Sequence, residues 1–71
     1  MKQFTEKDNE ILKFVLTYQN LYGYSPSVRE IGKNLYMSTT SVYRHLYKMV
    51  ELGYIKITPN TPRSIVLQIA I

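Results

Sequence analysis

The sequence is poor in the residues from which catalytic and metal sites are built. Its 71 residues include no cysteine, one histidine and five acidic residues. Without cysteine there is no disulfide framework and no thiolate-ligated zinc site. One histidine, His45, and so few carboxylates leave almost nothing for a multi-ligand metal centre or a Ser-His-Asp triad. We therefore expect a binding protein rather than an enzyme, with no metal and no cofactor.

Long apolar segments are missing as well. No apolar run approaches the roughly 18 residues of a membrane span, and residues 1–4 do not open a signal peptide. Hydrophobic residues nevertheless make up 45% of the chain, which is enough to fold a small core. We expect one soluble, cytoplasmic domain over residues 1–71 that has no membrane partner.

The net charge of +4 is unevenly distributed. Residues 1–22 carry as many acids as lysines, whereas residues 23–53 and 54–71 each carry more basic than acidic side chains. A net charge of this size is ordinary for a small soluble domain. It keeps nucleic acid among the candidate partners without establishing one.

Apolar residues recur at helical spacing through the first three-quarters of the chain. This periodicity predicts three helices, over about residues 6–22, 28–35 and 39–52. Thr5, Ser27 and Ser38 stand where helix N-caps are needed. Gly23 and Gly53 stand where a glycine can end a helix. The turn between the second and third helices is so short that the two must cross steeply.

Beyond the third helix the apolar period changes from 3.6 to 2, which indicates strands. Residues 54–58 and 64–68 predict two strands, and turn residues occupy positions 59–62 between them. The order predicts an α+β fold, a three-helix winged helix-turn-helix with a C-terminal two-stranded β-hairpin wing over about residues 54–68. Apolar residues occupy every second position towards the chain end: Ile65, Leu67, Ile69 and Ile71. We expect this segment to cap the core or to form a dimer strand.

The second and third helices have the spacing of a helix-turn-helix. A small residue, Gly32, lets the two helices approach closely. Apolar residues are placed to fill the angle between the helices: Ile31, Leu35, Met37, Val42 and Leu46. Since this stripe faces inward, the opposite side of the third helix faces outward.

The outward side of the third helix carries the candidate DNA contacts. In a helix-turn-helix, the first residues of the second helix of the motif meet base edges in the major groove. The candidates for reading bases are Thr39, Thr40, Tyr43 and Arg44. The candidates for contacting phosphates are Ser27, Arg29, Ser38, Ser41, Tyr47 and Lys48. The candidates on the wing are Lys56, Asn60 and Arg63.

Each of these features also has a purely structural explanation. A polar helix face with one arginine and one lysine is commonly just solvated, and a hairpin can serve only to cover the core. Tyr43 and Tyr47 would suit a protein interface equally well. The alternative function is therefore a winged-helix protein-interaction module, such as an antirepressor or the partner of another regulator. His45 is expected to be a packed or hydrogen-bonded structural histidine.

Four segments carry a resemblance to a known family: GYSPSVREIG at residues 23–32, SVYRHL at 41–46, GYI at 53–55 and PRSI at 62–65. Together they resemble the N-terminal DNA-binding domain of the LexA repressors, with similarity over about residues 4–67. The resemblance implies a winged helix-turn-helix that represses transcription by binding palindromic operators of double-stranded DNA as a dimer. It also implies that residues 38–44 read the half-site.

The sequence departs from that family in three respects. The LexA repressors continue into a linker, a cleavage site and a Ser-Lys peptidase domain that this sequence does not contain, so self-cleavage is not carried over. The residues of the third helix differ, so the operator is not carried over either. Tyr36 stands where a turn glycine is common. Because tyrosine rarely adopts a positive φ, we expect this turn to take another shape.

Overall fold

The computed structural model describes residues 3–68. The elements are α1 (Glu6–Tyr22), α2 (Val28–Leu35), α3 (Thr39–Glu51), β1 (Ile55–Lys56) and β2 (Val66–Leu67). The two strands form one antiparallel sheet in which Ile55 pairs with Leu67 and Lys56 with Val66. The predicted fold class, an α+β winged helix-turn-helix, is confirmed.

Each helix begins at a residue whose side chain caps it. The Thr5 hydroxyl accepts a hydrogen bond from the Asp8 N–H, and the Asp8 carboxylate accepts one from the Thr5 N–H in return. Ser27 and Glu30 form the same reciprocal capping box at the start of α2. The Ser38 hydroxyl caps α3. These bonds satisfy N–H groups that the first turn of a helix otherwise leaves without a partner.

A single core joins the three helices and the two strands. Its buried apolar residues are Ile11, Leu12, Val15, Ile31, Val42, Leu46, Met49, Ile55 and Ile65. Burying each of these side chains contributes about 1.5–3 kcal/mol before the entropy of folding is subtracted. The core therefore fixes the direction of α3 relative to α1 and α2, which leaves the other side of α3 exposed.

The turn between α2 and α3 differs from the sequence expectation. Tyr36 itself adopts the left-handed conformation, with φ 57° and ψ 47°, so the expectation of another turn shape is wrong. A left-handed residue is a common way to end a helix, and the Tyr36 side chain is 95% exposed, so the core does not have to accommodate it. Gly32 has the predicted role of allowing close approach: a Cβ there would lie 2.6 Å from the Met37 carbonyl oxygen.

The strands are shorter than the predicted 54–58 and 64–68, with two residues each. Pro59 and Pro62 have no N–H to donate to a ladder. Asn60 and Arg63 both adopt positive φ, of 58° and 54°, which breaks the extended backbone. The Ser64 hydroxyl takes over the pairing there, since it accepts from the Thr58 N–H and donates to the Thr58 carbonyl, both at 3.1 Å.

The predicted role of the apolar chain end is only partly described. Ile65 is buried in the core and Leu67 packs against it, whereas Val66 on the opposite face is 53% exposed. The expectation that Ile69 and Ile71 cap the core or form a dimer strand lies outside the described residues. Within residues 3–68, no helix combines the length and the apolar character needed to cross a membrane.

Candidate nucleic-acid interface

An open groove of about 800 Å³ lies between the exposed side of α3, the N-terminus of α2 and the wing, by which we mean residues 55–67. Eight of the predicted site residues line it: Ser27, Arg29, Thr39, Thr40, Tyr43, Tyr47, Asn60 and Arg63. These residues come from three separate stretches of sequence. The fold therefore brings most of the predicted contacts to one concave surface.

The exposed side of α3 presents small hydroxyls first and aromatic rings after them. Thr39 and Thr40, in the first turn, are exposed. The rings of Tyr43 and Tyr47 stack with their centroids 5.9 Å apart and their planes inclined by 17°, and both side chains remain about half exposed. Such a surface offers hydroxyl donors and two π faces to a ligand.

Arg44 lies beside this groove rather than in its lining. It lines a second, smaller depression on α3 together with His45, Tyr47, Lys48 and Glu51. It is exposed, and within residues 3–68 none of the ion pairs involves its guanidinium. All of its donors are thus available for a ligand that approaches α3.

The serine hydroxyls predicted to contact phosphate already serve the helices. Ser27 Oγ accepts from the Glu30 N–H at 3.1 Å, and Ser38 Oγ accepts from the Ser41 N–H at 3.1 Å. Each hydroxyl keeps its own proton for a ligand. Arg29, in the first turn of α2, is exposed at the edge of the groove.

Lys48 forms an ion pair with Asp8 that the sequence did not predict. Its ammonium group lies 2.5 Å from Oδ2 of Asp8, and the Nδ1 atom of His45 lies 2.6 Å from Oδ1 of the same carboxylate. The Asp8 residue is completely buried, while the Lys48 side chain is 19% exposed. The structure thus directs the Lys48 ammonium towards α1, and His45 is hydrogen-bonded within the chain.

The pKa of Asp8 reflects this environment. Burial raises the pKa of the carboxyl, but hydrogen bonds from Lys48, from the Thr5 backbone and from His45 outweigh it and lower the pKa to about 2. Asp8 is therefore ionised at neutral pH and holds the lysine in its ion pair. Asp8 was visible in the sequence only as an acid in the first turn of a helix, and no local pattern relates it to α3.

Arg63 also has a partner inside the chain. Its Nη1 atom donates to Glu30 Oε1 at 2.8 Å, to Tyr18 Oη at 3.1 Å and to the Ser25 carbonyl at 3.2 Å. The backbone N–H of Ser27, followed by the Arg63 guanidinium, lowers the pKa of Glu30 to about 2. Glu30 in turn raises the pKa of Arg63. Sequence reasoning assigned Arg63 to the wing correctly but did not identify these partners.

The remaining wing candidates are exposed. Lys56 lies on β1, outside the lining of the groove, and Asn60 lies at the tip of the loop with φ 58°. In the part of the chain that the structure describes, no group of three or more His, Cys, Asp and Glu side chains is arranged to hold a metal ion. The site is thus a set of hydroxyl, aromatic and guanidinium groups around an open groove.

Comparison with known proteins gives one consistent family. The sequence model described as the LexA DNA binding domain matches residues 1–64. The chain is 37% identical over 67 residues to a LexA repressor from Thermosipho melanesiensis. The aligned region covers 94% of this chain and 34% of that repressor. It is 38% identical over 66 residues to one from Staphylococcus aureus strain Mu3, covering 92% of this chain and 32% of that repressor. The chain therefore spans about a third of the length of the curated relatives it matches.

Proposed function

The chain belongs to the LexA DNA-binding domain family, and from this premise we propose that it is a sequence-specific transcriptional repressor that binds a palindromic operator as a dimer. The observation that carries the proposal is the groove, which α3, the N-terminus of α2 and the wing line together. A convex duplex with a phosphate backbone on each side of its major groove matches such a concave surface. We place this activity in the cytoplasm.

The start of α3 enters the major groove. Arg44 is the one side chain of this face with a guanidinium fork that fits guanine O6 and N7 bidentately. Thr39 and Thr40 are exposed at the first turn, where base edges are closest. The Tyr43 ring lies one turn further on and can pack on a thymine methyl.

Phosphate contacts position the domain on the duplex. Arg29 and the Ser27 hydroxyl contact one backbone from the start of α2, and Ser38, Ser41 and Tyr47 contribute hydroxyl groups from α3. The wing adds Lys56 and Asn60. Lys48 and Arg63 contribute less than the sequence suggests, because the carboxylates of Asp8 and Glu30 already hold them.

A dimer follows from the small number of contacts that one domain makes. A single α3 reads only a few base pairs, and each correct contact adds about 1–3 kcal/mol of discrimination. Two copies related by a two-fold axis double the contacts and require a palindromic site. The named relatives are repressors, which favours repression over activation.

Selection of binding sites from random duplex DNA tests the proposal. We expect a palindrome whose half-site centres lie about 10 bp apart, or a multiple of this, because both copies must face the same side of the helix. Arg44→Lys is the informative variant, since it keeps the charge but loses the fork that reads guanine. If wild type enriches no site above random sequence, specific DNA recognition is contradicted.

A second candidate function has one observation in its favour. The stacked, half-exposed rings of Tyr43 and Tyr47 would also suit the centre of a protein interface. In that case the chain is an interaction module, such as an antirepressor. The same selection separates the two, because an interaction module retains only weak binding that is independent of DNA sequence.

A further inference from the structure

Beyond the apolar core, one side chain of the wing makes polar contacts with several parts of the domain. Arg63 lies just before β2, and its Nη1 atom reaches Glu30 in α2, Tyr18 in α1 and the Ser25 carbonyl in the loop between them. Its guanidinium carbon also lies 4.9 Å from the ring centroid of Tyr24, within range of a cation–π contact. One guanidinium therefore joins the wing to α1, to α2 and to the loop between them.

The backbone at Arg63 supplies a second, independent observation. Arg63 has φ 54°, a left-handed conformation in which a residue with a Cβ is strained. Strained residues persist where the surrounding contacts hold them, and they concentrate at functional sites. Here the ion pair and the ring contacts hold the side chain, and Arg63 lies in the lining of the groove.

Tyr18 completes the connection. Its hydroxyl donates to Glu30 Oε2 at 3.0 Å and accepts from Arg63 Nη1. Burial, the largest influence, raises the pKa of this phenol, so the hydroxyl keeps its proton at neutral pH and can donate. Gln19, the next residue of α1, donates from Nε2 to the Ile65 carbonyl at 3.1 Å. The second half of the wing is thus held along one side of α1.

We propose that Arg63 is a positioning residue, which fixes the wing against α1 and α2 and so sets the width of the groove. It acts through Glu30 and Tyr18 rather than as a phosphate ligand. The effect of Arg63 on DNA binding rests on the proposed function, because it requires that the groove binds DNA. The anchoring of the wing is a property of the chain by itself.

Two conservative substitutions separate positioning from phosphate contact. Glu30→Gln keeps a side chain that can complete the capping box with Ser27, but it removes the negative charge that holds Arg63. By electrostatics alone this variant binds DNA at least as tightly as wild type, because an acid has been removed beside the groove. Arg63→Lys keeps the charge that a phosphate needs and loses the planar fork.

Positioning predicts that both variants bind the selected operator about threefold to tenfold more weakly, since the wing loses its anchor. It also predicts that the salt dependence of binding is unchanged in Arg63→Lys, because the number of cations near the DNA is the same. Glu10→Gln is the matched control, since Glu10 is an exposed acid of α1 whose partner is Lys7. Operator affinity equal to or above that of wild type in Glu30→Gln overturns the proposal.

Backbone ¹⁵N relaxation tests the anchor without DNA. We expect increased motion at residues 60, 61, 63 and 64 in both variants, with α3 and the core unchanged. This measurement distinguishes failure of the proposed function from failure of the proposed anchor. If wild type binds no DNA but the wing loosens in the variants, the proposed function fails and the anchor stands. If the wing is equally ordered in wild type and both variants, the anchor itself is wrong.

Discussion

At the scale of single residues, Asp8 connects the start of α1 to α3. Its carboxylate is completely buried, and a buried charge is tolerated only when charged or polar groups surround it. Lys48 and His45 supply such groups from α3. His45 was correctly predicted to be structural, but its partner was not, because the two lie 37 positions apart and no period relates them.

We expect Asp8→Asn to lower the free energy of unfolding by about 2–4 kcal/mol at pH 7, because Lys48 keeps a charge without a counterion. The pKa of Asp8 in the fold is about 2, below its usual 3.8. Its contribution is thus present above about pH 4 and is lost as the pH falls towards 2. Glu30, with a pKa of about 2, loses its contribution over a similar range.

Urea unfolding at pH 7 and pH 3, followed by circular dichroism, measures this prediction. The difference between wild type and Asp8→Asn should shrink at pH 3, since wild type has then lost part of the same contribution. Glu10→Gln is the control and should change stability by less than about 0.5 kcal/mol. A difference that is the same at both pH values would show that the ion pair does not stabilise the fold.

Arg44 is the residue whose loss should affect DNA recognition without affecting the fold. It is exposed and takes part in none of the ion pairs within residues 3–68. Arg44→Ala should weaken operator binding by about 1–3 kcal/mol and relax the base preference at one position. Fluorescence anisotropy with the operator and with single-base variants measures both. Lys13→Ala, an exposed residue of α1, is the control, and an equal loss for both variants would contradict base reading.

At the scale of elements, local sequence signals determined much of the helical part. N-cap residues, apolar periods and terminal glycines act over a few positions, so the sequence could show them directly. The turn between α2 and α3 was harder, because its shape follows from packing. Val42 and the Met37 carbonyl lie close to Gly32. The chain makes this tight turn with Tyr36 in a left-handed conformation.

Tyr36→Gly should stabilise the domain. Glycine adopts the left-handed conformation without the Cβ clash, and the tyrosine side chain is almost fully exposed, so little packing is lost. We expect a gain of about 0.5–1 kcal/mol after the greater entropy of unfolded glycine is subtracted. Thermal unfolding measures it. Tyr36→Ala removes the same side chain but keeps the Cβ, so it should give no gain in stability. Equal stabilisation by both variants would show that the tyrosine ring, and not the left-handed backbone, destabilises the wild type.

The wing shows why strand lengths were overestimated. Alternation of apolar residues predicted five residues on each side of the turn, but alternation reports which side chains face the core and not which N–H groups are paired. Ile55 and Ile65 both face the core, which for Ile65 is one of the two expected roles. Between them, two prolines and two residues at positive φ prevent a longer ladder.

At the scale of the whole molecule, the charge that reaches DNA is smaller than the formal net charge suggests. The sequence correctly indicated an excess of basic residues after residue 22, but it could not show which cations are neutralised within the fold. Asp8 and Glu30 hold Lys48 and Arg63. Three of the predicted cationic contacts, Arg29, Arg44 and Lys56, take part in no ion pair within the described residues.

This count predicts the salt dependence of DNA binding. Each cation that neutralises a phosphate steepens the plot of log K against log salt by about 0.9. Arg44 is assigned to a base, so Arg29 and Lys56 should give one domain on a single half-site duplex a slope of about −2. A slope near −4 would mean that Lys48 and Arg63 also leave their carboxylates for phosphates. Lys56→Gln should reduce the slope by about one unit, whereas Lys48→Gln should leave it unchanged when measured at a temperature where the variant is folded. Equal reductions in the two variants would show that the Asp8–Lys48 pair opens on DNA, in which case the domain gains phosphate contacts by releasing α3 from α1.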